Sequence, residues 1–219
     1  MNEVKQFFDT QSTVAIARFL VGMYLEYETP QGTLGGYIVD CEAYLGPDDR
    51  AAHSYGMRDT PRLKAMYQEP GTIYLYTMHT HLILNMVTQP KGMPQGVMIR
   101  GLEPVAGVEQ MVANRGKTGP ELSNGPGKLV AALGLSKELY GQSIFTSALH
   151  LVPAKRKTPK NILAIPRVGI PNKGEWTDKP LRFVAQGNPY ITGIRKRDYD
   201  DAHGWLSEKE EKTWQKKQS

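Results

Sequence analysis

Cysteine is nearly absent from this sequence, in which Cys41 stands alone among 219 residues. A single cysteine can neither form a disulfide within the chain nor build a cysteine-rich zinc module, so both kinds of small stapled domain are excluded. Long apolar runs are missing too, because the stretch at 14–20 is too short to span a membrane and contains Arg18. The first ten residues lack the basic flank and the apolar run of a signal peptide. We therefore expect a cytoplasmic protein, neither secreted nor bound in a membrane.

The composition is typical of a folded globular chain. Hydrophobic residues make up 40% of the sequence and charged residues 22%, and the length is sufficient for a hydrophobic core without staples. No internal repeat or low-complexity linker divides the chain, so we predict one domain over residues 1–206. The last residues, 207–219, are polar and mixed in charge, which predicts a frayed tail or a short solvated helix.

Positive charge is concentrated in one segment. The formal net charge is +5, yet residues 153–197 alone carry eleven basic and two acidic residues. Such a run is typical of a solvated surface or of a surface that follows a phosphate backbone. If the second interpretation holds, the candidates for phosphate contacts in this segment are Lys155, Arg156, Lys157, Arg195 and Arg197.

Strands dominate the first half of the chain without a β-α-β rhythm. Hydrophobic periodicity, caps and turn residues predict four helices: at 13–20 with a cap from Asp9 or Ser12, a short one that starts at Thr60-Pro61 and ends at Pro70-Gly71, and two at 104–114 and 126–133. The same signals predict strands at 22–28, 33–44, 72–78, 81–87, 96–101, 182–185 and 190–194. This order favours an α+β fold with a mostly antiparallel sheet.

The strand that ends near residue 44 carries a candidate site. Alternation gives it two unlike faces: Ile38, Asp40, Glu42 and Tyr44 on one, Val39 and Cys41 on the other. His53 follows a Gly-Pro turn that can fold it back toward this strand end. A carboxylate base, an aromatic stacking platform and an imidazole donor would then meet. The alternative is a Glu42 that merely faces solvent.

The predicted hairpin at 72–87 carries a second set of candidates. Tyr74 and Tyr76 share a face, and the tip lacks the glycine usual in two-residue turns. His79 at this tip could wedge between stacked bases. His79 and His81 could instead form a metal pair, although the hairpin offers no third ligand.

Two further positions are singled out by their neighbours. Arg100 closes the apolar run at 97–100, so it needs either a structural ion-pair partner or an acid in a site. Lys128 follows the glycines of 123–127 at a predicted helix start, where a phosphate or an ordinary helix cap would fit equally well.

Five ordered blocks resemble a known family. They are CEAYLGPDDRAAHS (41–54), TPRLKAMYQEPGTIYLY (60–76), VMIRGLEP (97–104), NGPGKL (124–129) and RVGIPNKGEWTDKPLRF (167–183). Together they resemble the alkyladenine (3-methyladenine) DNA glycosylase family, in a bacterial form, over residues 15–194.

This resemblance implies a curved antiparallel sheet whose protruding β-hairpin enters the DNA minor groove. It also implies an enzyme that flips a damaged purine out of the duplex and hydrolyses its bond to the sugar. The implied roles are as follows: Glu42 activates water, Arg100 helps hold that water, Tyr44 and Tyr76 stack on the base, His53 contacts it, and Asn85 lies beside it. Animal members carry an intercalating Tyr at the hairpin tip. Here the hairpin is one residue shorter, so Met78 or His79 takes that place, and we align His79 with it.

The resemblance also predicts the type of reaction and the partner. No Lys lies in the motifs where a Schiff base could form, so a monofunctional glycosylase without lyase activity, metal or cofactor is expected. Its partner would be double-stranded DNA that contains 3-methyladenine, 7-methylguanine, hypoxanthine or ethenoadenine, bound by a monomer. Two rival hypotheses remain open: a non-catalytic binder of damaged DNA in which Glu42 is structural, and a metal-dependent hydrolase built on His79 and His81.

Overall fold

Eight strands and five α-helices form the part of the chain, residues 2–218, that this computed structural model describes. The strands are β1 (Tyr24–Thr29), β2 (Gly32–Tyr44), β3 (Ile73–Met78), β4 (His81–Val87), β5 (Gly96–Ala106), β6 (Leu149–Leu151), β7 (Ile162–Ile165) and β8 (Arg182–Ala185). The α-helices are α1 (Asn2–Thr10), α2 (Thr13–Leu20), α3 (Val108–Arg115), α4 (Pro126–Leu133) and α5 (Glu208–Gln218). Every strand pair is antiparallel, in the order β3-β4-β5-β2-β1-β6, with β8 also on β2 and β7 on β8. The predicted α+β class, with its curved antiparallel sheet and protruding hairpin, is confirmed.

Strand β2 is the centre of the sheet. Its first half pairs with β1, its end pairs with β8, and β5 follows it along nearly its whole length. The pairing with β5 shifts in register between Ile38 and Asp40. An extra residue in a strand interrupts the alternation of its faces. Ile38 therefore packs in the main core together with Val39 and Cys41, and the prediction that placed it beside the carboxylates is wrong.

Helix α2 covers the core face of this sheet. Ser12 caps the helix by accepting a hydrogen bond from the N–H of Ala15 at 3.2 Å, as predicted. The apolar stripe of α2 is buried, with Ile16 and Leu20 fully enclosed. Cys41 lies in the same core with 0% exposure, and burial raises the pKa of its thiol.

The start of one predicted helix and one predicted strand are wrong, for identifiable reasons. Strand β5 continues through Pro104 to Ala106, where a helix was expected, and α3 begins only after Gly107. Pro104 is tolerated because β5 has already left β4 and pairs with β2 alone there. Residues 190–194 form turns instead of a strand, since side chains bind the backbone: Asn188 accepts from the N–H of Tyr190 at 2.9 Å and Asp40 from the N–H of Thr192 at 3.2 Å. Helix α1 and the short strands β6 and β7 were not predicted.

The hairpin and the end of the chain complete the fold. Strands β3 and β4 are joined by His79 and Thr80 alone, as predicted, and Met78 pairs with His81. Residues after 207 form α5, which matches one of the two predicted alternatives, while the domain boundary at 206 stays a prediction. No helix within residues 2–218 is long and apolar enough to cross a membrane.

Candidate active site

A cavity of about 390 Å³ opens where β2 ends, between the β3–β4 hairpin, the 168–170 loop and the start of α4. It is of a size usual for small-ligand sites. Eight of the side chains that sequence analysis singled out line it: Tyr44, His53, Tyr74, Tyr76, Met78, His79, Asn85 and Arg100. The structure thus brings together candidates from three separate parts of the chain.

Glu42 lies directly behind the wall of this cavity and is fully buried. Its Oε1 atom accepts a hydrogen bond from the backbone N–H of Val168 at 2.8 Å and lies 3.2 Å from Nη1 of Arg100. Its Oε2 atom accepts from the hydroxyl of Tyr44 at 2.8 Å. Tyr44, Arg100 and Val168 all line the cavity. The carboxylate is therefore one residue layer from any molecule bound there.

Burial governs the ionisation of this pair. It raises the pKa of Glu42, while Arg100, the Val168 N–H and the Tyr44 hydroxyl oppose that rise. Burial also raises the pKa of Tyr44, and the neighbouring Glu42 charge adds to the effect. Tyr44 therefore stays a neutral donor. A buried carboxyl with a raised pKa beside a cavity is a frequent property of catalytic acids and bases.

A second buried carboxylate shares Arg100 with Glu42. Asp40 receives two hydrogen bonds from Arg182, at 2.9 and 2.7 Å, and lies 3.9 Å from Nε of Arg100. Arg100 therefore lies between the carboxylates of Asp40 and Glu42, so it has the acidic partner that both predicted alternatives require, and its role in a site stays a prediction. Its Nε atom has no hydrogen-bond partner in the described part of the protein.

A third buried ion pair fixes the loop that carries His53. Both Arg167 and Asp49 are completely buried, and two hydrogen bonds of 2.6 and 2.9 Å join them. Arg167 also donates to the carbonyl of Ala43 at 3.0 Å and lies 4.6 Å from the ring centre of Tyr44. Asp49 in turn accepts from the N–H of Ala51 at 2.9 Å. The pair thus joins the end of β2, the 46–53 loop and the ring of Tyr44.

The opposite wall of the cavity is aromatic. The ring of His53 lies 3.9 Å from that of Tyr76, and its Nδ1 is 3.4 Å from the hydroxyl of Tyr74. Surrounding protein and the charge of Arg58 lower the pKa of His53, and burial raises that of Tyr74. The imidazole is thus neutral near pH 7, although one edge of it reaches solvent. Asn85 is held beside these rings because its amide donates to the carbonyl of Tyr74 at 3.2 Å.

The tip of the hairpin borders the cavity mouth. His79 has a φ of 54°, in the left-handed region where glycine is usual. Met78 beside it is 45% exposed. A strained, exposed ring at a tip is a frequent sign of function.

Comparisons with known proteins agree with this geometry. A family model described as methylpurine-DNA glycosylase (MPG) matches residues 6–189. The chain belongs to the methylpurine-DNA glycosylase family. A protein of Enterococcus faecalis named "Putative 3-methyladenine DNA glycosylase" is 65% identical over 97% of this chain and 94% of its own length. Proteins of the same name from Staphylococcus saprophyticus and Staphylococcus carnosus are each 49% identical, over 87% of this chain and 94% and 93% of their own lengths. The predicted resemblance is confirmed, as is the prediction of a DNA glycosylase, a hydrolase of N-glycosyl bonds.

The predicted phosphate contacts of this family member have neighbours within the protein. Lys155 pairs with Glu26, Arg195 with Asp198, and Lys128 with Glu121 and Asn124. Arg156 lies over the ring of Phe19, Lys157 over those of Tyr37 and Trp205, and Arg197 lies 4.0 Å from Asp198. None of these six cations lines the base cavity. Their contact with phosphates stays a prediction.

Potential metal ligands lie outside the β3–β4 hairpin. In the part of the chain that the structure describes, the group of side chains that could hold an ion is Glu26, Glu28 and His150, and Lys155 already contacts Glu26. His79 and His81 do not belong to that group. His81 packs instead against Gly127, where an added Cβ would lie 2.9 Å from that of His81.

Sequence reasoning missed three contributors to the site. Val168 acts through its backbone N–H, which no residue type reveals. Arg167 and Arg182 were counted only as surface charge, yet both are buried and paired. Arg182 stands in the apolar run 181–185, the same signal that singled out Arg100, and could have been found by it.

The Arg167–Asp49 pair provides a first test. Replacement of Arg167 by Met should lower the free energy of unfolding by about 3–5 kcal/mol, because the buried Asp49 carboxylate loses its counterion. Urea unfolding followed by circular dichroism measures this loss. Lys64→Met is the matched control: it removes an exposed pair with Asp59, which is worth about 1 kcal/mol or less. An Arg167→Met variant as stable as the control would contradict this interpretation.

Proposed function

We propose that this protein is a monofunctional DNA glycosylase of base excision repair that hydrolyses the bond between a damaged purine and its sugar. Glu42 would activate the attacking water. The observation that carries the proposal is the position of Glu42, a fully buried carboxylate whose three hydrogen-bond or ion-pair partners all line an aromatic cavity. Membership of the methylpurine-DNA glycosylase family supports it.

The chemistry of the reaction suits this arrangement. As an N-glycosidic bond breaks, positive charge develops on the sugar, and a nearby carboxylate both stabilises that charge and accepts a proton from water. General-base assistance of this kind contributes roughly 10²–10⁴-fold. In the described chain the Nε atom of Arg100 has no hydrogen-bond partner, although Asp40 lies 3.9 Å away, and Arg100 lines the cavity. Its guanidinium therefore has a donor left that a water in the site could use.

The aromatic cavity suits alkylated purines. Tyr44 forms one wall, and Tyr76 with His53 forms another, so a purine ring would stack between π-faces. A cationic alkylated base gains about 0.5–2 kcal/mol over such a face. Damaged or mispaired bases also cost least to extrude from the duplex. We propose 3-methyladenine, 7-methylguanine, hypoxanthine and ethenoadenine as substrates, with Asn85 beside the bound base.

The residues around the cavity favour a water nucleophile. No lysine is among the residues of the described chain that line it, so a Schiff base with the sugar has no donor there. We expect free base and an intact abasic strand as products. The enzyme would act as a monomer on double-stranded DNA in the cytoplasm.

Glu42→Gln tests the catalytic assignment. The variant should release hypoxanthine or 3-methyladenine from duplex DNA roughly 10²–10⁴-fold more slowly in single turnovers, since the amide cannot accept the proton. Chromatography of the free base measures the rate, and Glu109→Gln, at an exposed site on α3, is the matched control. A near wild-type rate in Glu42→Gln would refute the role. No base release by the wild type from any of the four lesions, with lesion-specific binding intact, would favour a non-catalytic binder.

The pH dependence provides a second test. Only ionised Glu42 can accept a proton, so the rate should fall as pH drops through its raised pKa. Tyr44→Phe keeps the ring but removes a hydrogen bond that lowers this pKa, so the acidic limb should move to higher pH. Single-turnover rates over a pH series, compared with those of Tyr67→Phe, measure the shift. An acidic limb that stays in place would show that another group titrates.

His79→Gly tests the proposed wedge. Glycine accepts the positive φ of this position, so the turn is kept while the ring is lost. Loss of a stacking contact worth about 1–3 kcal/mol should slow single-turnover base release by roughly fivefold or more, with nonspecific binding unchanged. Met78→Ala is the parallel variant. A normal rate in His79→Gly together with a slow Met78→Ala would assign the wedge to Met78.

A further inference from the structure

Asp40 is a buried carboxylate that takes no direct part in the proposed reaction. It lies on β2, two residues before Glu42, and is fully enclosed. Its Oδ1 atom accepts a hydrogen bond from Nε of Arg182 at 2.9 Å. Its Oδ2 atom accepts from Nη2 of Arg182 at 2.7 Å and from the N–H of Thr192 at 3.2 Å. Because both oxygens are acceptors, this arrangement fits the ionised carboxylate.

Arg100 is shared between Asp40 and Glu42. Its Nη1 atom lies 3.2 Å from Oε1 of Glu42, and its Nε atom lies 3.9 Å from Oδ2 of Asp40. The two contacts use different nitrogens of one planar guanidinium. The hydrogen bonds that Glu42 accepts come from the N–H of Val168 and the hydroxyl of Tyr44. Arg100 therefore divides its charge between two carboxylates.

The other carboxylates of the site show complete neutralisation by an arginine. Arg167 donates two hydrogen bonds to Asp49, at 2.6 and 2.9 Å, as Arg182 does to Asp40. A pair of this kind strongly favours the ionised carboxylate, which makes it a weak base. Within residues 2–218, Glu42 has no such two-bond pair. It is thus held in place without full loss of its affinity for a proton.

The charges of this buried set balance. Asp40 and Glu42 supply two negative charges, and Arg100 and Arg182 supply two positive ones. Burial and the charge of Asp40 raise the pKa of Glu42, whereas Arg100 opposes this rise. In the described chain, the titratable and charged side chains around Glu42 are Asp40, Cys41 and Tyr44 on β2, Arg100 on β5, Arg182 opposite it on β8, and Arg167 against the ring of Tyr44.

We infer that Asp40 is a positioning residue, which holds Arg100 between two carboxylates and so leaves Glu42 basic enough to accept a proton from water. Arg182 and the backbone of Thr192 fix Asp40 in the orientation that this requires. The inference rests on the proposed function, because it needs Glu42 as the base. Without Asp40, the charge of Arg100 would act on Glu42 alone and make it a poorer proton acceptor.

Asp40→Asn keeps the shape of the side chain and removes its charge. The pKa of Glu42 should fall, since Arg100 is no longer shared, so the acidic limb of the single-turnover rate should move to lower pH. The rate above that limb should fall roughly tenfold, a part of the 10²–10⁴-fold that general-base assistance contributes. Base release from a hypoxanthine duplex over a pH series measures both effects. An acidic limb that stays in place or moves to higher pH would overturn the inference.

Arg182→Met should move the limb in the opposite direction. It removes the cation that holds Asp40, so the free carboxylate attracts Arg100 more strongly and Glu42 loses part of its counterion. The acidic limb should therefore move to higher pH. A limb that moves in the same direction in Arg182→Met and in Asp40→Asn would reveal a general disturbance of the site and would overturn the inference.

Two further variants separate this role from plain destabilisation. Glu103→Gln neutralises another buried carboxylate, on β5, which does not line the cavity, and it should leave the limb in place. Asp40→Asn/Arg182→Met removes a whole ion pair and leaves no buried charge unpaired, so it should fold even where a single variant does not. Its limb should still lie at lower pH than that of the wild type. A wild-type limb in this double variant, or a shifted one in Glu103→Gln, would contradict the role of Asp40.

The Glu42→Gln background separates the inference from the proposed function. If Asp40 acts through Glu42, Asp40→Asn should slow base release no further in that background. A further tenfold loss there would show a route that bypasses Glu42 and would reject the inference. A slow Glu42→Gln variant with an unmoved limb in Asp40→Asn would reject the inference and retain the glycosylase, whereas a wild-type rate in Glu42→Gln would reject the proposed base itself.

Discussion

The site depends on the neutralisation of three buried carboxylates by three buried arginines around the end of β2. Asp40 is bound by Arg182, Glu42 by Arg100, and Asp49 by Arg167. Each carboxylate belongs to β2 or to the loop that follows it, whereas the arginines come from β5, β8 and the 166–170 loop. Charges in a protein interior are costly unless they are paired, so these segments must meet before the site exists. The cavity is therefore assembled by the same contacts that set its charge.

The three ion pairs differ in whether the donors to their carboxylate also line the cavity. Asp40 and Asp49 have several donors each and are structural in this arrangement. Glu42 receives its donors from groups that also line the cavity, so a bound molecule can change its surroundings. All three carboxylates are equally buried, so Glu42 is set apart by its neighbours and not by its burial. This difference explains why a row of acids on one strand can contain both a scaffold and a candidate base.

Much of the secondary structure could be predicted from the sequence, because capping, turn chemistry and hydrophobic periodicity act over a few neighbouring residues. The hairpin with its two-residue tip, the cap at Ser12 and the helix Pro126–Leu133 follow from turn chemistry, capping and periodicity. The β2 register shift could not be predicted, since it depends on how β5 pairs with it, and it moved Ile38 to the core. Residues 190–194 were misassigned because their backbone is bound by the neighbouring Asn188 and by Asp40, which lies far away along the chain. The candidate side chains around the cavity came from motifs, but their supporting arginines needed the tertiary structure.

The buried position of Cys41 has a consequence for the conditions in which such an enzyme would work. The reagents that alkylate purines in DNA also attack thiols, and they react with the thiolate form. Cys41 is the only thiol of the chain, it is enclosed in the core one residue from Glu42, and burial holds its proton in place. The protein therefore offers these electrophiles no thiolate beside its site. A repair enzyme built in this way would resist inactivation through thiol alkylation by the same reagents that create its substrates.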